Sequence, residues 1–199
     1  MRMQKIGIMG GTFDPVHYGH LVIAESARNR FDLDKVVFIP SGTPPHKRQL
    51  NTSSAAHRLE MTALAIASNP HFIVSRIELE RQGFSYSVDT VSALLEKYGA
   101  DTSVYFIAGT DTVGDLPTWH KAEKLLQLCT FIAAVRPGFD PNSLNKLPAS
   151  WRANIALMET PSLEISSTDI RRRVREGESI KYLLPEPVEA YIYAQKLYK

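Results

Sequence analysis

Apolar residues in this chain follow two alternating rhythms. Short, nearly unbroken apolar runs occur at Lys5 to Met9, Val36 to Pro40, Phe72 to Ile77, Val104 to Ala108, Phe131 to Val135 and Ile155 to Met158. Runs of this length bounded by turn residues predict buried strands. Between them the apolar positions recur at helical spacing. Leu21, Val22, Ala24 and Ala27 make a stripe over about Tyr18 to Asn29, and Leu59, Ala63, Leu64 and Ala67 make a second, ended by Asn69-Pro70. Val88, Val91, Leu94 and Leu95 make a third, with Ser87 as its expected cap and Gly99 as its stop. Further helices are expected over Lys121 to Leu128, Asp169 to Glu176 and Pro187 to Leu197. Ser41 to Ser54 and Pro137 to Pro148 read as loops.

Strands and helices alternating in this way predict an α/β fold. The expected form is Rossmann-like and doubly wound, a mostly parallel sheet with helices on both faces and a C-terminal helical segment. No internal repeat or linker divides the chain, so residues 1–199 are expected to form a single domain, with 165–199 as a C-terminal helical subregion. In such open sheets ligands bind beyond the C-terminal ends of the strands. The polar residues that stand out all fall there: His17 and His20 after the first strand, Pro44 to Lys47 after the second, Tyr86 after the third, Asp111 after the fourth and Arg136 after the fifth.

Composition narrows the classes. With 199 residues, a single domain buries roughly 70% of the surface its unfolded chain would expose and needs no staples. A net charge of +2 gives no whole-chain field toward nucleic acid or a membrane surface, so neither is expected as a partner. The lone cysteine, Cys129, permits neither an internal disulfide nor a Cys-based zinc site, and a cytoplasmic setting is expected. Residues 1–9 carry no long apolar core and no small-residue cleavage site, so no signal peptide is expected. No stretch reaches the ~18 apolar residues of a membrane span.

Candidate chemistry centres on Gly10-Gly11-Thr12-Phe13-Asp14-Pro15-Val16-His17-Tyr18-Gly19-His20. This is neither a P-loop nor a dinucleotide fingerprint, because Gly-Lys-[Ser/Thr] and G-x-G-x-x-G are both missing. The physics is related. A glycine-rich turn from strand to helix exposes backbone N–H groups, and a helix N-terminus favours an anion. His17 and His20, at i and i+3, project from nearly one face, where they can donate to a polyphosphate. Two histidines at this spacing, taken alone, read as surface residues on a structural turn, and a zinc pair lacks a third ligand. A second segment, Ile165-Ser166-Ser167-Thr168-Asp169-Ile170-Arg171, sets three hydroxyls and an arginine at another helix start. It reads either as a capped helix with a solvated basic face or as a second phosphate grip.

The ten-residue pattern from Gly11 to His20 resembles the signature of the HxGH nucleotidyltransferase superfamily, and Ile165 to Arg171 resembles that superfamily's second motif. The resemblance implies ATP binding by Gly10, Gly11, Thr12, Phe13, Gly19, Ser167 and Thr168, with His17, His20 and Arg171 acting on the phosphates. On that reading 165–199 completes the ATP site. Nearly end to end, the chain is similar to the bacterial nicotinate-nucleotide adenylyltransferases. The matching pieces include Pro44-Pro45-His46-Lys47, Gly83 to Thr90, Gly109-Thr110-Asp111, Pro117-Thr118-Trp119, Arg136-Pro137-Gly138 and the tail from Tyr182 to Tyr198. Two positions depart: serine stands at 87 where threonine is common, and threonine at 110 where glutamine is common.

That family resemblance implies an acceptor, nicotinate mononucleotide, and a set of residues for it. Trp119 offers a face for the pyridinium, Tyr86 a second side, and the backbone near Tyr86 and Ser87 donors for the carboxylate. Asp111 would take ribose hydroxyls, and Lys47 and Arg136 phosphates. Mg²⁺ is expected to arrive on the ATP phosphates, with no protein metal site. Trp119 also reads as a partly buried anchor and Lys47 as a solvated lysine. His46, His57, His71 and His120 are expected to be structural or at the surface. Rival readings are pantetheine-phosphate adenylyltransferase, use of nicotinamide mononucleotide, and a non-catalytic nucleotide sensor on the same fold. A homo-oligomer is compatible with the sequence, which gives no oligomeric state.

Overall fold

Strands that are apolar at nearly every position need cover on both faces, and a parallel sheet between two helical layers supplies it. The computed structural model describes residues 3–42, 52–99, 101–135 and 138–199. Its strands are β1 (Gln4–Gly11), β2 (Lys35–Pro40), β3 (Phe72–Val74), β4 (Thr102–Gly109), β5 (Thr130–Val135) and β6 (Ile155–Glu159). Among the described residues they form one sheet in the order β3-β2-β1-β4-β5-β6, and every pairing is parallel. The sheet is therefore wholly parallel, and its order reverses direction between β1 and β4. That switch point is where such folds open a crevice for ligands.

Side chains alternate between the faces of each strand. Ile6, Ile8, Val37 and Phe131 look into one apolar cluster with α3 (Ser87–Tyr98), α4 (Thr110–Gly114) and α5 (Ala122–Leu128). Met9, Val36, Phe38 and Ile132 look into the other. There they meet α1 (Tyr18–Phe31), α2 (Ala55–Ile66), α7 (Ser167–Glu176) and α8 (Glu186–Ala194). The C-terminal helices thus contribute Ile170, Val174, Val188 and Ile192 to the core on the α1 side, and α8 packs against α2.

Several boundaries differ from the sequence reading. Ser87 is the first residue of α3, and Tyr86 is its cap. The Tyr86 carbonyl accepts from the N–H groups of Asp89 and Thr90, so the backbone does what a serine side chain was expected to do. β3 stops at Val74; one more N–H, from Ser75, reaches the Phe38 carbonyl before the chain leaves the sheet. The connection after β4 holds α4 and a 3-10 turn at Leu116–Thr118, which carries Pro117 in its first turn. The loop expected before β6 contains a 3-10 segment at Pro141–Lys146, followed by a short α6 (Ala149–Arg152). α8 ends at Ala194, short of Leu197, and Lys196 and Tyr198 take positive φ as the tail turns back.

Candidate active site at the sheet switch point

The chain leaves β1 at Gly11 and turns through Phe13, whose φ is +50° and whose ring is buried. His17 caps α1 in an extended conformation, and its carbonyl accepts from the N–H groups of His20 and Leu21 at 3.0 and 3.3 Å. The His17 N–H donates to His20 Nδ1 at 3.3 Å. An Nδ1 that accepts carries no proton, so the His20 proton sits on Nε2, which becomes the donor end of the ring. The two imidazoles lie 3.8 Å apart between centroids, tilted by 31°, and Phe13 meets His20 edge-on at 5.1 Å. Gly19 makes the pair feasible: a Cβ there would sit 3.0 Å from the His17 ring.

Two cavities flank this pair. The first, of about 590 Å³, is lined by His17, Gly19, His20, Ile23, Ala134, Val135 and the continuous stretch Thr160 to Thr168. The second, of about 420 Å³, is lined by Gly10, Gly11, His20, Ile23, Ser41, Glu78, Ser85, Ser87, Thr90, Phe106, Gly109, Thr112 and Trp119, among others. His20 and Ile23 stand on the wall of both. A reacting group beside His20 is therefore reachable from either side.

On the first side the N-terminus of α7 is fastened to the loop after β1. Ser166 caps α7 by accepting from the Asp169 N–H at 3.1 Å. The Ser167 hydroxyl donates to the Pro15 carbonyl at 2.8 Å, and Arg171 Nη1 donates to the Asp14 carbonyl at 2.7 Å. Arg171 Nη2 also lies 3.4 Å from the Thr168 hydroxyl. Arg172 and Arg173 are committed elsewhere. Arg172 pairs with Asp169, Glu176 and Glu178, and Arg173 with Asp169 and Glu178. Those hydrogen bonds, Arg173 first and Arg172 next, lower the Asp169 pKa. Of these three arginines, Arg171 is the one that donates to the loop leading to the histidines.

On the second side, Trp119 is set edge-on against Phe106 at 5.7 Å and Phe131 at 6.1 Å, a rigid mount for a ring that also lines the cavity. Tyr86 lies 4.3 Å from the His120 ring. Ser87, the first residue of α3, lines the cavity at a helix start, where backbone N–H groups lack intrahelical partners. Asp111 is exposed in α4, next to Thr112 on the cavity wall. Lys47 and Arg136 lie outside the described residues.

The expected nucleotide residues divide between the two sides. Gly19, Ser167 and Thr168 line the first cavity, whereas Gly10 and Gly11 line the second. Thr12 and Phe13 act from behind: the Thr12 carbonyl accepts from Arg58 at 2.9 Å, and Phe13 supports His20. Among the remaining histidines, His57 Nδ1 lies 2.9 Å from the Tyr191 hydroxyl and His71 Nδ1 lies 3.3 Å from the Asp34 carbonyl, both structural contacts.

Sequence reasoning missed Glu78. Its Oε1 accepts from the Thr90 hydroxyl at 2.9 Å and its Oε2 from the Gly42 N–H at 3.4 Å, while Arg81 donates to the Thr90 hydroxyl at 3.0 Å. Burial pushes the Glu78 pKa up, against the lowering effects of Thr90, Gly42 and Arg81. No local motif marks this residue, because its partners come from a different turn and a different helix. Arg58 and the Asp14 carboxylate were missed as a pair for the same reason. Among the described residues no group of three or more His, Cys, Asp or Glu side chains is placed to hold a metal ion.

A profile of the cytidylyltransferase-like family matches residues 8–173. A protein of Moorella thermoacetica named as a probable nicotinate-nucleotide adenylyltransferase is 54% identical over 202 residues, spanning 100% of this chain and 93% of that protein. One of a Thermoanaerobacter species with the same name is 50% identical, spanning 100% and 96%. Among solved structures, the Plasmodium falciparum nicotinic acid mononucleotide adenylyltransferase complexed with NaAD superposes with a TM-score of 0.79. It is 24% identical and covers 98% of this chain and 97% of its own, a likeness of fold.

Proposed function

The chain belongs to the cytidylyltransferase-like family and, within it, to the nicotinate-nucleotide adenylyltransferases, and we propose how its own residues perform that reaction. The enzyme transfers the adenylyl group of ATP to nicotinate mononucleotide, giving nicotinate adenine dinucleotide and pyrophosphate in NAD synthesis. ATP takes the cavity lined by Thr160 to Thr168, and nicotinate mononucleotide takes the one lined by Trp119 and Ser87. The observation that carries this reading is the position of His20 on the wall of both cavities.

The acceptor 5′-phosphate attacks the ATP α-phosphorus directly. A phosphate monoester has a second pKa of about 6, so it is mostly ionised at neutral pH and needs no base. The protein's work is alignment and charge stabilisation. His20 Nε2–H donates to the α-phosphate as charge builds there, and His17 supports the ring and the start of α1. Arg171, Ser167 and Thr168 hold the outer phosphates at the start of α7, so residues 165–199 complete the ATP site. Magnesium enters as part of the substrate, MgATP, on phosphate oxygens. On the acceptor side Trp119 stacks on the pyridinium, the Ser87 N–H meets the carboxylate, and Asp111 takes ribose hydroxyls beside Thr112. Lys47 and Arg136 remain proposed phosphate contacts, as the family resemblance implies.

No helix among the described residues is long and apolar enough to cross a membrane. We place the enzyme in the cytoplasm; its single cysteine is buried, with its thiol pushed up to about 12 by that burial, and fits a reduced compartment. Pyrophosphate release with MgATP and, in separate reactions, nicotinate mononucleotide, nicotinamide mononucleotide and phosphopantetheine tests the assignment. Release is expected to be fastest with the first. None with that acceptor would end the assignment, and faster release with the second would end the preference for the acid.

A further inference from the structure

Asp14 sits in the first motif, yet its side chain faces away from phosphate chemistry and into the protein. Only 2% of the residue is exposed. Its Oδ1 accepts from the Tyr198 hydroxyl at 2.7 Å, its Oδ2 accepts from the Ser53 N–H at 3.1 Å, and its carbonyl accepts from Arg171 Nη1 at 2.7 Å. Three segments remote in sequence thus meet on one residue. Arg58, 4% exposed, closes the arrangement from α2: Nη1 donates to the Thr12 carbonyl at 2.9 Å and Nε to the Ser53 carbonyl at 3.2 Å. The Asp14 charge acts on Arg58 against the burial that lowers its pKa.

Tyr198 is an unusual partner. It reaches Asp14 across 184 positions of sequence, adopts a φ of +65°, and is held by no helix, since α8 ends at Ala194. Left-handed backbone is costly for a residue with a Cβ, so the tail is bent here against its local preference. Burial first, then the Asp14 charge and the hydrogen bond to it, push the Tyr198 pKa up. The hydroxyl therefore keeps its proton and acts as a donor throughout the working range.

We infer that Tyr198 is a positioning residue for adenylyl transfer, fixing the Asp14 carboxylate and through it the carbonyl that orients the Arg171 guanidinium. An arginine side chain has many rotamers, and a phosphate grip needs it held to within about 0.5 Å. The Asp14 carbonyl supplies that hold only while the peptide that carries it cannot rotate. Two anchors on the carboxylate, Tyr198 on one oxygen and the Ser53 N–H on the other, restrain the residue that carries it. With one anchor removed, Asp14 is held less tightly, and its carbonyl, carried on the same Cα, is set less closely against Arg171. Tyr198 lines neither of the two cavities and acts wholly through Asp14 and Arg171. The inference rests on the reading of Arg171 as a phosphate ligand.

A double-mutant cycle on the full-length enzyme separates this role from simple packing. Tyr198→Phe keeps the ring and removes one oxygen. Single-turnover rates with enzyme in excess, per folded molecule as set by thermal unfolding, are compared in the wild-type and Arg171→Ala backgrounds. The expected result is a ~10-fold slower step in the wild-type background, the scale of a lost hydrogen bond to a charged group, and less than about twofold in the Arg171→Ala background, with the KM for nicotinate mononucleotide unchanged in both. An equal factor in the two backgrounds, or no change in the wild-type background, would overturn the inference and leave Tyr198 as a packing residue. A wild-type enzyme that releases no pyrophosphate would instead sink the adenylyl-transfer reading beneath it.

Discussion

The two cavities that share His20 are built in opposite ways. Much of the ATP-side wall comes from one continuous stretch, Thr160 to Thr168, largely exposed and fastened to the rest by the Ser167–Pro15 and Arg171–Asp14 hydrogen bonds. The acceptor-side wall is assembled from β1, β4, the residues after β2, the turn before α3, α3 itself and the segment ending at Trp119. On that wall Glu78 is tied to Thr90 and to the Gly42 N–H, and the indole is wedged by two phenylalanines. The contrast suits what each half is proposed to recognise. A triphosphate needs a run of backbone donors and hydroxyls, which one helix start supplies. A flat acceptor ring must be told from similar rings, and that needs surfaces fixed by several elements at once.

Substitution at the shared wall tests whether the two halves meet there. His20→Ala is expected to lower kcat by ~10²–10³-fold, the usual scale for removing one preorganised donor, while both KM values move by less than about threefold. A large rise in one KM alone would assign His20 to that side only. Trp119→Ala acts on the acceptor half. Loss of stacking worth ~1–2 kcal/mol raises the KM for nicotinate mononucleotide roughly 5–30-fold and leaves that for ATP unchanged. Equal effects on both substrates would mean the indole is a fold anchor, and the contrast between the halves would weaken.

A smaller effect checks how dry the acceptor wall is. Burial holds the Glu78 pKa above its ordinary 4.5, so the folded state favours the proton. The stability tied to that proton is fully present below 4.5 and is lost as pH rises through the raised value. Glutamine does not titrate. The Tm of wild type minus that of Glu78→Gln should therefore fall across this window and then level off. A flat difference would show that Thr90, Gly42 and Arg81 offset the burial completely. Smallest of all is Arg172→Ala. Its side chain is engaged by Asp169, Glu176 and Glu178 on an exposed surface, where ion pairs contribute little. Turnover should stay within about twofold, and a larger loss would move Arg172 into the phosphate grip.

The same contrast explains what was legible in the sequence. The strands were readable because each is a compact apolar run, and the ATP half was readable because Gly11 to His20 and Ser166 to Arg171 are each contiguous. Trp119 and Ser87 were reached through the family resemblance, since nothing local distinguishes a mounted indole from a core anchor. Glu78 and Arg58 were not reached at all. Their roles depend on Thr90, Gly42, Ser53 and Thr12, partners brought close only by the folded chain. The boundary errors have a simpler cause. A serine at 87 satisfies every cap preference, yet Tyr86 takes the position, with an extended backbone and no side-chain cap bond.

One wall between two chambers also governs departure. On the proposed division of the site, the dinucleotide made beside His20 spans both chambers as a single molecule, so each half tethers the other at high local concentration. Pyrophosphate touches only the α7 side and has no such tether. On that division of the site, pyrophosphate is expected to leave before the joined product.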